Sequence, residues 1–370
     1  MDSVPHQSSI LDKVRECTLL HHGGEADVYG VVADGNEYVL KWYGSENRFD
    51  ESVIETLSHL NIPGLYRIRE SGVRDNTAYL LYDFVQGENS AEVPQIPVAV
   101  ALLLLRELGR TLEALSCKNI HHGDLNPANV ILCPSKGGLQ AVLIDCGIVG
   151  PGALAYAAPE RFQGKTASVK SDLFSTGLML FRWVAGRDLL QAEDFDGYAA
   201  QGAAIDNVDV TGILYGMGCF SALELSALDP LWKSLLRFNP EDRPEDFDEL
   251  DELLEIALST LGVGEVTAQT TLQHFSEKLF DEKTGRKFPA SALNGEKTPI
   301  PYRKRDQQPQ KKNRKFAILG VFGLILLLVA LWLAFGTKSP DIDATGNLLL
   351  EKSRNLESVD SQEDILRGAP

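Results

Sequence analysis

Over residues 15–87, apolar and polar positions alternate in short runs, Cys17–His21, Asp27–Ala33 and Glu37–Trp42, with Asp34-Gly35-Asn36 between the last two. Period-two alternation reads as β-strand, and an Asp-Gly step between two such runs is a strong signal for a tight hairpin. A helical spacing over residues 49–60 comes next, followed by strand patterns at Tyr66–Glu70 and Thr77–Phe84. From Pro97 onward the period becomes that of helices, at Val98–Ser116, Ser171–Ala185, Leu231–Phe238 and Phe247–Leu261. The pattern predicts a small sheet-rich part followed by a larger helical part. Residues 263–315 mix Thr, Lys, Gly, Pro and Gln without a sustained period and read as a linker.

The run Phe316–Phe335 has a different character. It holds no charged residue and matches the length, about 20 residues, of a helix that crosses a bilayer. A core helix would carry polar residues on one face, and none are present. Arg303-Lys304-Arg305 and Lys311-Lys312-Asn313-Arg314-Lys315 stand just before it, whereas Lys338 and then mainly Asp and Glu follow. By the positive-inside rule the preceding side is cytoplasmic, and Trp332 suits the interfacial belt at the far end. Residues 336–370 are acidic, poor in aromatics and read as a short extracytoplasmic tail. The spacing of Gly320 and Gly323 gives no GxxxG face. At the N-terminus no apolar run follows a basic cluster, so no cleavable signal is expected.

Composition narrows the partners. A net charge of -17 and a pI near 4.9 argue against nucleic acid, whose phosphates call for a basic surface. The five cysteines, Cys17, Cys117, Cys133, Cys146 and Cys219, form no CxxC pair and read as reduced thiols of a cytosolic domain.

The chemistry concentrates in His122-Gly123-Asp124-Leu125-Asn126-Pro127-Ala128-Asn129-Val130-Ile131-Leu132 and in Leu143-Ile144-Asp145-Cys146-Gly147. Phosphoryl transfer from a nucleotide needs a carboxylate to orient the acceptor hydroxyl and oxygen ligands for a divalent cation. Asp124, Asn129 and Asp145 are those residue types in that order. Upstream, Lys41 ends the run Val39-Leu40-Lys41, beyond a glycine-containing turn His21-His22-Gly23-Gly24-Glu25-Ala26. Downstream come Ala158-Pro159-Glu160, then Ser171-Asp172-Leu173-Phe174-Ser175-Thr176-Gly177, then Pro240-Glu241-Asp242-Arg243-Pro244.

This ordered set resembles the protein-kinase superfamily, and in particular the bacterial eukaryote-like kinases that place one transmembrane helix after a cytosolic catalytic domain. The resemblance implies an α+β, bilobal protein-kinase-like fold plus one C-terminal transmembrane helix. Residues 15–87 would be a small β-rich N-lobe, 88–262 a larger helical C-lobe, 263–315 a juxtamembrane linker, 316–335 the span and 336–370 the tail. It also implies a serine/threonine-type protein kinase at the cytoplasmic membrane, using ATP with Mg²⁺ or Mn²⁺ on protein substrates. Asp124 would be the catalytic base, Lys41 the phosphate contact, and Asn129 and Asp145 the metal ligands. Gly23 would cover the nucleotide, Val28, Val39 and Ile131 would line the adenine pocket, and Asp83 and Val85 would belong to the hinge. An acid on the first helix would pair with Lys41: the register of Val53, Ile54 and Leu57 points to Asp50, while the chemistry prefers the longer Glu51, which is the residue chosen. Glu160 would pair with Arg243, and Asp172 would brace the catalytic loop.

Several positions depart from the family pattern. Gly123 replaces the Arg that usually receives an activation-loop phosphate, and residues 145–160 contain no Ser or Thr. Regulation is therefore expected outside that segment, with self-association and autophosphorylation at Thr267, Thr270, Thr271, Thr284 or Thr298 as one route. Asn126 and Ala153 replace the usual Lys and Thr, the glycine loop is eroded, and Cys146 replaces the usual Phe. Two alternatives follow, a pseudokinase module and a small-molecule phosphotransferase like the aminoglycoside and choline kinases. Those enzymes generally lack both Ala-Pro-Glu and the Ser171–Gly177 pattern.

Overall fold

The computed structural model describes residues 9–23, 26–43, 51–146, 152–281 and 297–302. Strands β1 (Val14–His22), β2 (Ala26–Ala33), β3 (Asn36–Tyr43), β4 (Ile68–Arg74) and β5 (Thr77–Asp83) form an antiparallel sheet ordered β1-β2-β3-β5-β4. The β2–β3 hairpin turns at Asp34 and Gly35, with φ of 51° and 79°, and Ala33 pairs with Asn36. That is the two-residue turn whose twist suits the flanking strands. Helix α1 (Glu51–His59) packs on β4.

Strand alternation gives the sheet two dissimilar faces. Val39 and Tyr43 turn to the interior with Leu80 and Tyr82. Leu40 and Trp42 turn outward, where Leu11, Val31, Tyr79 and Leu81 form a second, smaller cluster.

The larger lobe is built around α2 (Val98–Ser116), against which α4 (Val169–Ala185) and α8 (Phe247–Thr260) pack, with α7 (Ala222–Leu235) beyond. Its apolar stripe of leucines, including Leu102, Leu104, Leu105 and Leu108, is fully buried. A capping box of Ser168 and Ser171 starts α4, and Gly186, at φ 72°, ends it. The short β6 (Glu88–Asn89) joins the hairpin of β7 (Val130–Ser135) and β8 (Gly138–Leu143) in a three-stranded sheet. Leu143 accepts from the Tyr66 N–H at 2.9 Å and donates to Gly64 at 2.7 Å, which fastens the two lobes behind the cleft.

Differences from the sequence reading have local causes. The strand expected at Tyr66–Glu70 is shifted to Ile68–Arg74, because Tyr66 spends its N–H on Leu143 and the β4 register slips between Ile68 and Glu70. Helix α7 begins nine residues earlier than Leu231, because Ser221 and Glu224 form a capping box and Pro230 sits on the exposed side. The expected linker holds a helix, α9 (Glu265–Leu279), whose Leu272, Phe275 and Leu279 are buried against β8 and α2. Its apolar positions are sparse among threonines and glutamines, so periodicity was faint. Lys297–Tyr302 also returns to the small lobe. One compact unit extends to Lys304. Among the described residues no helix is long and apolar enough to cross a membrane, and the expected span Phe316–Phe335 lies outside them, as does the tail.

Candidate active site

The loop between α2 and β7 is held by hydrogen bonds at nearly every residue. Asp172, in the first turn of α4, accepts from the N–H groups of His122 at 2.8 Å and Gly123 at 2.9 Å. Burial pushes its carboxyl above the ordinary carboxylate range, opposed by nearby His122 and by the two backbone donors. His122 Nε2 faces the Ile144 carbonyl at 2.9 Å and must donate to it, so Nδ1 is the acceptor for the Asp124 N–H at 3.3 Å. Gly123 has φ +75°, and a Cβ there would lie 2.9 Å from the Ala167 Cβ. The bend therefore requires glycine for steric reasons as well as lacking the family's Arg.

These bonds aim Asp124. Its Oδ1 accepts from the Ala153 N–H at 2.6 Å and from Asn126 Nδ2 at 3.0 Å, and its Oδ2 from Asn129 Nδ2 at 3.2 Å. Asn126 also caps the short turn Pro127–Asn129 by accepting from the Ala128 N–H at 2.9 Å. The sequence reading saw Asn126 and Ala153 only as losses. Both are donors to the central carboxylate, and Ala153 acts through its backbone, which no side-chain pattern reveals.

Across the cleft, Lys41 Nζ lies 2.5 Å from Asp145 Oδ2, with both side chains largely buried. Val28 stands opposite Lys41 in the β2–β3 ladder, and Val39 is two residues before it on the same face. Asp145 holds φ +64°, a sparsely populated region for a non-glycine residue. Its Oδ1 is buried and has no hydrogen-bond partner among the described residues. A buried carboxylate oxygen left unpaired is costly, so this orphan marks where a hard cation fits. Asn129 uses its Nδ2 on Asp124, leaving its oxygen end for the same ion.

Tyr66 and Tyr82 close the back of the cleft. Their rings meet edge to face at 5.1 Å, and the Tyr66 hydroxyl donates to the Cys146 carbonyl at 3.3 Å. Burial, and then the Asp145 charge, push both phenols well above their ordinary range. Sequence reasoning did not single them out, because tyrosines in strands read as ordinary core.

A sequence model for the protein kinase domain matches residues 16–255. The chain belongs to the protein kinase family. Curated relatives include the serine/threonine-protein kinase pkn2 of Myxococcus xanthus, 30% identical over 284 residues, covering 69% of this chain and 34% of that protein. Another is serine/threonine-protein kinase PkaA of Streptomyces coelicolor, 29% identical over 242 residues, covering 60% of this chain and 41% of that protein. This kinase thus spans less than half the length of these relatives. Among solved structures, the Mycobacterium tuberculosis PknI kinase domain aligns with a TM-score of 0.50 at 19% identity, over 69% of this chain and all of that one. Rad53 1-466 in complex with AMP-PNP aligns at 0.55 and 20% identity, over 69% of this chain and 66% of that one. At these identities the likeness shows the bilobal fold.

Ile131 lies on β7 and Val85 just after β5, both half-buried. The Asp83 carboxylate is held by Arg69 through two 2.7 Å bonds, and the Asp83 N–H donates to the Arg67 carbonyl at 3.0 Å. Gly23 donates its N–H to the Ala26 carbonyl at 3.1 Å, while Gly24 and Glu25 lie outside the described residues. Asp50 and the Glu51 side chain also lie outside, and Asp145 is the acid paired with Lys41 among the described residues. Lower in the kinase, Arg243 meets Glu160 at 2.7 and 2.9 Å, both buried, and stacks over Phe174 at 4.8 Å. Tyr156 donates to Asp188 at 2.5 Å.

Proposed function

We propose that this kinase domain is an active serine/threonine protein kinase that transfers the γ-phosphoryl group of ATP to protein hydroxyls with Mg²⁺. The observation that carries this reading is the pairing of two carboxylates in different states of engagement. Asp124 is clamped by three donors, which suits a group that orients an acceptor hydroxyl. Asp145 holds Lys41 with one oxygen and keeps the other buried without a partner among the described residues, which suits a cation ligand.

When bound, Mg²⁺ would neutralise phosphate charge next to Asn129 and Asp145. Lys41 would bind the α- and β-phosphates, Val28, Val39 and Ile131 would enclose the base, and Asp124 Oδ2 would accept the hydroxyl proton or hold it for in-line attack. With Gly123 in place of Arg, and with Tyr156 bonded to Asp188, activation-segment phosphorylation is not the switch in this reading.

The finer localisation is part of the proposal. The uncharged run Phe316–Phe335 and the basic residues before it support a single-pass anchor in the cytoplasmic membrane with the kinase domain in the cytoplasm. Residues 15–87 would serve as the N-lobe, and the C-lobe would run on through α9. Self-association would bring one copy's Thr267, Thr270 or Thr271 of α9, or its Thr284 or Thr298, to another copy's site. Reporter fusions after residue 336 test the topology, and a cytoplasmic signal there would refute it. Transfer of labelled phosphate from MgATP to a protein hydroxyl by the full chain tests the activity.

A second reading, a nucleotide-binding pseudokinase, draws on one observation. The Ala153 N–H occupies Asp124 Oδ1, so a substrate hydroxyl must use the remaining oxygen or displace that bond.

A further inference from the structure

Strand β1 is an edge of the five-stranded sheet, and an edge presents backbone donors and acceptors to any extended segment that can reach them. Residues 297–302 take that position. Lys297 bridges antiparallel to Thr18, and the Thr298 N–H donates to the Cys17 carbonyl at 2.8 Å. The Lys297 ammonium also pairs with the Glu16 carboxylate.

Beyond the edge the segment crosses the outer face of the sheet. Ile300 and Tyr302 pack on the cluster of Leu11, Leu40, Tyr79 and Leu81. The Tyr302 ring lies 5.5 Å from the Trp42 ring and 5.1 Å under the Arg74 guanidinium, and its hydroxyl donates to the Leu11 carbonyl at 2.5 Å. Trp42 is the neighbour of Lys41 on β3 and points to the opposite face.

We propose that the roof of the small lobe is a docking surface for the chain's own segment Lys297–Tyr302, and that docking there steadies β3 and so raises nucleotide affinity at Lys41. The coupling half of this inference rests on the nucleotide-binding reading above. Covering the outer face of β3 lowers the local opening of that strand, and a ligand that needs Lys41 fixed favours the covered state. The contact is one short segment joined to β1 by a single bridge, so docking is reversible in this proposal. In sequence the segment is followed by Arg303-Lys304-Arg305 and, after ten further residues, by the apolar run.

The test uses the full chain in lipid nanodiscs. Thr298 Oγ1 lies 3.8 Å from Cys17 Sγ, so Thr298→Cys is expected to form a disulfide to Cys17 under mild oxidation, mapped by mass spectrometry and absent when Cys17→Ser is added. Tyr302→Ala is expected to speed amide exchange along β1 and to weaken binding of a fluorescent ATP analogue about fivefold or more, while the cross-linked chain binds at least as tightly as wild type. Failure to cross-link, with equal exchange in wild type and Tyr302→Ala, would overturn the docking. Equal nucleotide affinity in the locked chain and in Tyr302→Ala would overturn the coupling. Cross-linking in a chain that binds no nucleotide would overturn the functional reading and its coupling while leaving the docking standing.

Discussion

The backbone N–H of Ala153 donates to Asp124 Oδ1 at 2.6 Å, so the segment that precedes Ala-Pro-Glu orients the central carboxylate directly. With Asn126 on the same oxygen, Oδ2, which accepts from Asn129 Nδ2 alone among the described residues, is the oxygen with room for a substrate hydroxyl. Ala153→Pro removes the donor at a residue whose φ of -70° already suits proline. Loss of a hydrogen bond to a charged group is worth about 1.5–3 kcal/mol, so transfer is expected to slow about tenfold or more with KM for ATP little changed. Ala153→Ser keeps the N–H and should stay near wild type in the same steady-state assay.

Asn126→Lys installs the residue usual in the family but removes the cap on the Ala128 N–H. Urea unfolding should report a loss of about 1 kcal/mol. Combining it with Ala153→Thr should give transfer rates above those of either single change, since the two side chains would act as a pair.

Gly123→Ala places a Cβ in a left-handed bend and against the Ala167 Cβ. A cost of more than about 1 kcal/mol is expected, and Gly123→Arg should be at least as damaging. A melting temperature equal to wild type in either variant would show that the bend relaxes.

The Glu160–Arg243 pair is buried on both sides. Arg243→Ala leaves a buried carboxylate without its partner and should cost about 3–5 kcal/mol. The double change Glu160→Leu with Arg243→Leu should cost less than the two single changes together, measured by urea denaturation.

Asp172 carries the pH dependence. Burial raises its folded value above the ordinary 3.8, so its contribution to stability is full below that value and lost as pH rises through the raised one. The stability difference between wild type and Asp172→Asn is therefore expected to shrink as pH climbs from about 4. Unfolding free energies at a series of pH values check the slope, and a difference that grows with pH would reverse the assignment.

Much of this was legible in the chain because the signals were local. The Asp34-Gly35 hairpin, the leucine stripe of α2 and the order Lys41, Asp124, Asn129, Asp145 each rest on neighbouring residues or on fixed spacing. What escaped was non-local or carried by backbone. No periodicity announces that Tyr66 will spend its N–H on Leu143, or that Ala153 will serve Asp124 through its amide. Helix α9 was hidden because three buried side chains, Leu272, Phe275 and Leu279, suffice to hold it on an existing surface. The return of Lys297–Tyr302 to β1 depends on an edge that exists only once the sheet has formed.

The most direct measurement compares the full chain with its Asp124→Asn variant for transfer of labelled phosphate from MgATP to protein serine and threonine. Asparagine keeps an acceptor for the Ala153 N–H and Asn126 Nδ2 and gives up only the 3.2 Å bond from Asn129 Nδ2. Wild type is expected to label protein at a rate at least about a hundredfold above the variant, with both binding nucleotide alike. Equal labelling by the two chains, with nucleotide bound by both, would contradict the assignment of Asp124 and the reading of this domain as an active kinase.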